Sequence, residues 1–205
     1  MSHTLGIRQA QKQKTRQALM DSALQLLEHQ SLSSLGLREV TRAVGMAPAA
    51  FYRHFTGTAD LGVALVEQAL GSLHDTIRAA IVTTGSSEER IDRAVALIAA
   101  QVRTHPAHVR FIARERHGGV APVREAIGVQ LRAFGDEVAE ALGADPESAG
   151  WTSEDVRMLA GVYVDHMVMT ASALLEGDEG SEEAVLATAR AQLRLVTLGR
   201  HHWLD

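Results

Sequence analysis

The chain of 205 residues contains no cysteine, which excludes disulfides and cysteine-based zinc sites. Its longest apolar run, Ala94 to Ala100, is far short of the roughly 20 residues that a membrane-spanning helix requires. There is no basic-then-apolar leader at the N-terminus, so a soluble cytoplasmic protein is expected. Internal repeats, low-complexity tracts and the alternation typical of strands are also missing. So are a Gly-x-Ser-x-Gly elbow, a phosphate loop, a dinucleotide fingerprint and any pair of acids that stands out from the solvated charges. No catalytic constellation remains, and no enzymatic activity is expected. His105 and His108, three apart, and the pair His201-His202 lack the carboxylates or cysteines that complete a metal site. Surface or capping roles are therefore expected of them, with no metal and no cofactor.

What is present is helical periodicity divided by punctuation. The pattern predicts an all-α chain of nine helices, the first from about Gln9 to His29, with Leu19, Ala23, Leu26 and Leu27 as its apolar stripe. Further helices are predicted at about Thr58–Val82, Glu88–Thr104, Pro106 to the break at Gly118-Gly119, Pro122–Leu142, Thr152–Leu175 and Ser181–Trp203. Ser86 and Glu89 have capping-box spacing.

The densest signal is the stretch from Leu37 to Phe55. Leu37, Val40 and Val44 fall at helical spacing, Gly45 stands where a chain leaving a helix often needs positive φ, and Pro48 opens a second short helix. Phe51 and Phe55, four apart, can face a core together. Ala49, Ala50, Tyr52, Arg53 and His54 then crowd the outer faces. This is a helix-turn-helix, and its outer residues suit DNA: small Ala49 and Ala50 permit close approach to a major groove, while Arg53 reaches a base edge or phosphate. Tyr52 and His54 offer donors to phosphates. An ordinary helical hairpin in a core is the alternative, since the same geometry recurs in proteins that bind no nucleic acid.

The net charge of −5 is unevenly distributed. Residues 1–60 carry seven Lys/Arg (Arg8, Lys12, Lys14, Arg16, Arg38, Arg42, Arg53) and four acids, a balance of +3, which leaves −8 for the remainder. A basic end on an acidic body fits a DNA-binding head and a non-binding body, because phosphate attraction is local.

The run Gly45 to Phe55, ending in Tyr52-Arg53-His54-Phe55, resembles the signature of the TetR family of bacterial one-component transcription regulators. The resemblance begins at Gly6-Ile7-Arg8 and is strong to about Leu65, with Lys14 to Leu19 matching the start of the family's first helix. Within the family the chain is most similar to the FabR-like and DesT-like repressors of unsaturated fatty acid synthesis. Three local matches carry that: the arm Gly6 to Arg16, the run Ala47 to Phe55, and Arg114-Glu115-Arg116 followed by a small residue pair. Leu35 and Thr58 depart from the wider family, replacing a threonine and a lysine expected to touch phosphate. The resemblance implies a helix-turn-helix DNA-binding domain at residues 1–57 and a helical effector-binding and dimerisation domain at 58–205. It also implies a homodimer on a palindromic operator, nucleoid-associated when bound. The DNA-binding set is Arg8, Lys12, Lys14, Arg16, Arg38, Pro48, Ala49, Ala50, Tyr52, Arg53 and His54.

From Val156 to Leu175 nearly every residue is apolar or small, so that helix needs cover on several sides. Leu186, Ala189, Leu193 and Val196 give the last helix a stripe opposite a charged face with Arg190, Arg194 and Arg200. A two-fold dimer through Val164, Val168, Ala171, Leu175, Leu186, Ala189, Leu193 and Val196 is one reading; a helix central to the monomer's own core is the other. Ile98, Val102, Phe111, Phe134, Met158, Tyr163, Met167 and Met169 are either an effector pocket or plain core. With the resemblance, a long-chain acyl-coenzyme A is the expected effector, its anionic groups held by Arg110, Arg114 and Arg116. Those arginines could equally pair with Glu115, Glu125 or Asp136. The rival to a regulator is a small-molecule-binding or enzymatic helical protein whose helix-turn-helix is incidental.

Overall fold

The computed structural model describes residues 2–81, 85–178 and 180–204, and among these every regular element is helical. In order they are α1 (Ser2–Leu26), α2 (Leu37–Ala43), α3 (Pro48–Phe51), α4 (Thr58–Ile81), α5 (Ser87–Thr104), α6 (Pro106–Glu115), α7 (Ala121–Gly143), α8 (Ser153–Glu176) and α9 (Glu182–His201). A 3-10 turn at Pro146–Ser148 lies where sequence alone predicts an irregular loop. Of the break expected after Val82, at residues 83–87, Thr83 and Thr84 lie outside the described residues. The basic arm is not a separate extended segment: α1 begins at Ser2, since the span to Leu26 has no proline and its single glycine, Gly6, is tolerated.

The caps follow the sequence closely. Ser86 accepts from the Glu89 N–H at 3.3 Å while Glu89 accepts from the Ser86 N–H at 2.8 Å. Thr152 and Asp155 make the same reciprocal pair at the start of α8.

By contacts the chain forms two compact units, Met1–Ala69 with Arg110–Ile127, and Leu70–Val109 with Gly128–Asp205. Residues 110–127 therefore go with the first unit. Its core holds Leu19, Ala23, Leu32, Val40, Phe51, Phe55, Leu61, Leu65 and Phe111. Leu35, which departs from the family pattern, is buried there too. Gly62 permits close packing: a Cβ on it would lie 2.5 Å from Leu32 and 2.7 Å from Val123, so a side chain there requires α4 or those two side chains to shift. In the second unit α5 packs against α8 and α9, which pack on each other. Ile91, Val95 and Ala99 of α5 meet Leu186, Ala189 and Leu193 of α9, with Tyr163 and Leu174 of α8 alongside.

Candidate DNA-binding head and ligand cavity

The head is built around a helix of only four residues. After α2 the chain turns at Gly45, whose φ of 67° is the left-handed conformation that glycine adopts without a Cβ clash. The Met46 N–H returns to the Thr41 carbonyl at 2.8 Å, closing the turn. Ala47 is extended and Pro48 takes the first helical position, where its missing N–H costs nothing. Helical hydrogen bonding continues past α3, since His54 and Phe55 donate to the Phe51 carbonyl at 2.8 and 3.1 Å. Phe51 and Phe55 are fully buried, with ring centroids 5.5 Å apart. That burial turns Pro48, Ala49, Tyr52 and Arg53 outward, and Tyr52 is 63 % exposed.

One of the DNA-binding candidates is engaged inside the protein and another is half-buried. The Arg16 guanidinium sits 4.2 Å from the centroid of the Phe55 ring and donates to the His54 carbonyl at 2.9 Å. It pins the end of the recognition segment to α1. Arg8, Lys12, Lys14 and Arg38 are exposed, as a phosphate contact requires. His54 is half-buried, its Nδ1 buried with no acceptor or donor among the described residues. Burial first, and then the positive charges of Lys12, Arg16 and Arg53, hold its pKa below the ordinary 6.5.

The arginines expected at an effector lie elsewhere. Arg114 Nη1 donates to the Leu27 and Gln30 carbonyls at 2.8 and 2.7 Å, satisfying groups that the end of α1 leaves open. Neighbouring Glu115 is buried and accepts from the Leu32 N–H at 2.9 Å. Arg114 and Glu115 thus rivet α6 to the α1–α2 link, and Arg110, Phe111, Arg114 and Arg116 all belong to the first unit.

In the second unit α5, α7, α8 and α9 surround a cavity of about 180 Å³. Of the pocket residues expected from sequence, only Tyr163 and Met167 line it. Ile98, Val102 and Phe134 are buried core, and Met158 is 45 % exposed. Phe134 stacks instead on His74, with centroids 3.9 Å apart, while His74 bridges Glu137 and Gln130 at 3.1 and 2.9 Å.

The cavity's polar end was missed by sequence reading. Arg200 does not share the exposed face of Arg190 and Arg194; it stands seven residues after Leu193, on the same buried stripe, and is 4 % exposed. That spacing was the available signal. Its Nη1 meets Glu147 at 3.1 Å and Asp145 at 3.5 Å, and its Nη2 donates to Ser148 at 2.7 Å.

Four residues of the expected dimer stripe are core of their own chain. Leu186, Ala189 and Leu193 are covered by α5 of their own chain, and Val164 is buried. Val168, Ala171, Leu175 and Val196 are half-buried. The apolar side chains left outside are Met158, Val162 and Met169 of α8 and Leu195 and Leu198 of α9. By length and composition α8 would suffice to cross a membrane, with a mean hydropathy of 1.4, yet only 22 % of that apolar window is buried.

A glycine-turned pair of short helices with a basic first helix, carried ahead of a separate helical unit, defines a helix-turn-helix regulator. The sequence pattern of bacterial regulatory proteins of the tetR family matches residues 19–65. An HTH-type transcriptional regulator of Haemophilus influenzae is 32 % identical over 203 residues, covering 95 % of this chain and 94 % of its own. The chain belongs to the TetR family of DNA-binding transcriptional regulators. Solved structures share the fold. FadR from Bacillus subtilis, solved with stearoyl-CoA, matches with a TM-score of 0.71 at 14 % identity over 88 % of this chain and 96 % of that one. AibR, solved with isovaleryl coenzyme A and operator DNA, matches with 0.66 at 14 % identity over 86 % and 96 %. A TetR-family regulator from Streptomyces coelicolor matches with 0.70 at 21 % identity over 93 % and 97 %.

Two outcomes are expected of the head. Arg16→Ala removes a charged hydrogen bond and a cation–π contact, together about 2 kcal/mol, and urea unfolding should read that loss. A change within a few tenths would show that Arg16 holds nothing. His54, with its pKa lowered by folding, binds a proton more readily when unfolded. Stability is therefore full above pH 6.5 and declines as pH falls from there toward the lowered value. His54→Gln should flatten the fall in urea midpoint between pH 7 and 5.5; an unchanged slope would remove His54 from the account.

Proposed function

We propose that the chain is a ligand-responsive repressor that binds a palindromic operator as a homodimer. The observation that carries the reading is the outward row Pro48, Ala49, Tyr52 and Arg53 over buried Phe51 and Phe55, beside the exposed cations of α1. Arg53, Ala49, Ala50 and Pro48 read bases, whereas Tyr52, His54, Arg38 and the α1 cations Arg8, Lys12 and Lys14 hold phosphates. Arg16 acts through the recognition segment rather than on DNA.

The dimer forms through the exposed face of α8 and α9. Met158, Val162, Asp165 and Met169 follow one helical stripe and Ala187, Ala191, Leu195 and Leu198 another, a surface better suited to a second copy than to water. The second unit takes the effector. FadR and AibR, whose structures hold acyl-coenzyme A thioesters, support an acyl compound as its class and control of fatty acid or lipid metabolism as its setting. The Arg114-Glu115-Arg116 match to FabR-like and DesT-like repressors points the same way. As a repressor of this kind it works in the cytoplasm, at the nucleoid.

Retardation assays with genomic fragments test DNA binding directly, since a discrete palindromic site must survive competitor DNA. Tyr52→Phe should weaken binding to all sequences alike, while Arg53→Ala should relax base preference by about 1–3 kcal/mol at one position. The reverse pattern would overturn the division of roles. Leu195→Glu should give folded monomers that lose the operator, because two half-sites need two linked heads. Leu193→Glu, at a buried position, should unfold the chain instead. Dimers persisting in Leu195→Glu by light scattering would move the interface elsewhere.

A further inference from the structure

Residues 7–14 of α1 are all exposed, which leaves more than two full helical turns open to water on every side. Arg8, Lys12 and Lys14 lie among them, and the first acid of the chain comes only at Asp21. Arg8 and Lys12 stand four apart and share a helix face, where like charges repel and weaken the helix. A short helix that packs on nothing is marginal in water. Neither packing nor internal charge pairing accounts for this cationic stretch, whereas a line of phosphates neutralises it. A lipid surface suits it less, because Ile7 is the single large apolar side chain among the eight and an interfacial helix needs an apolar face.

The course of α1 places the cations. Arg16 is fixed to the end of the recognition segment, 2.9 Å from the His54 carbonyl and 4.2 Å from the Phe55 ring centroid. Lys12 lies one turn before it, close enough to His54 that its charge helps to hold the imidazole pKa down. Arg8 is a further turn out, about 12 Å from Arg16 along the axis at 1.5 Å a residue. That distance is three to four base pairs of duplex at about 3.4 Å each. The four residues of α3 cannot reach so far. Building on the reading of the head as DNA-binding, we propose that Arg8 and Lys12 clamp the duplex that flanks each half-site, up to about four base pairs beyond the pairs read by Pro48, Ala49, Ala50 and Arg53. The contact accepts any sequence, because phosphates carry none. Base reading stays with the recognition segment, and the open turns of α1 add affinity and length to the site.

Fluorescence anisotropy on the full-length protein tests this with two kinds of duplex. One is the palindromic site found by retardation, trimmed to its two half-sites; the other carries ten base pairs of scrambled sequence at each end, in two different scrambles. The flanked duplexes should bind about fivefold more tightly than the trimmed one at about 0.1 M salt. Their affinity should also fall more steeply with salt, by a slope of about two for the two Arg8 side chains of a dimer. Arg8→Gln should remove that extra slope, and deletion of residues 2–10 should bring all the duplexes within about twofold of one another. Both changes fall on exposed turns and should leave the urea midpoint where it was. Hydroxyl-radical footprints should shorten by three to four base pairs on each side in the deleted protein. Equal binding of trimmed and flanked duplexes by the unaltered protein, a flank effect that survives the deletion, or a preference for one scramble overturns the proposal. A discrete site bound without regard to its flanks retains the regulator and discards the clamp, whereas no discrete site at all discards both.

Discussion

A helix of four residues has no stability of its own, because nucleating a helical turn costs more than its first hydrogen bonds return. The recognition segment Pro48–Phe55 is therefore placed by its anchors. Phe51 and Phe55 bury one side of it, Gly45 sets the angle at which it leaves α2, and Arg16 grips its far end through the Phe55 ring and the His54 carbonyl. Every outward side chain of the recognition segment is positioned by these three contacts. A loss at any of them changes the interface without touching a residue on it.

The same economy appears where α6 meets α1. Arg114 and Glu115 are adjacent in sequence and work in opposite senses, one donating to the open carbonyls at the end of α1 and the other accepting from the Leu32 N–H that follows. Both bonds involve charged groups against backbone, and such bonds are stronger than neutral ones. They make α6 part of the head. The cavity of the second unit, by contrast, lies among α5, α7, α8 and α9, where Arg90, Arg93, Asp145 and the buried Arg200 bring charge to a partly apolar wall.

The exposed face of α8 and α9 and the cavity share one set of helices. Leu186, Ala189 and Leu193 look inward to α5, while Leu195 and Leu198 look outward, and Tyr163 and Met167 line the cavity while Met158, Val162 and Met169 face solvent. A helix that is apolar on most sides can serve both, which is why α8 meets the length and composition of a membrane helix with only 22 % of its window buried.

Much was legible in the sequence because it is local. Helix order, the capping box at Ser86, the left-handed Gly45 and the inward Phe51–Phe55 pair each depend on residues within a few positions of one another, where backbone sterics and helical period leave few options. The family signature lay in the same short span. Which partner each side chain would choose was not legible. Arg114 and Arg16 read as cations for phosphates, and Arg200 as a solvent-facing charge. Their actual partners stand 84 to 87, 38 and 52 to 53 positions away. Periodicity names the face of a helix but not what covers it, and only the packing of α5 against α9 decided which apolar stripe is core and which remains open.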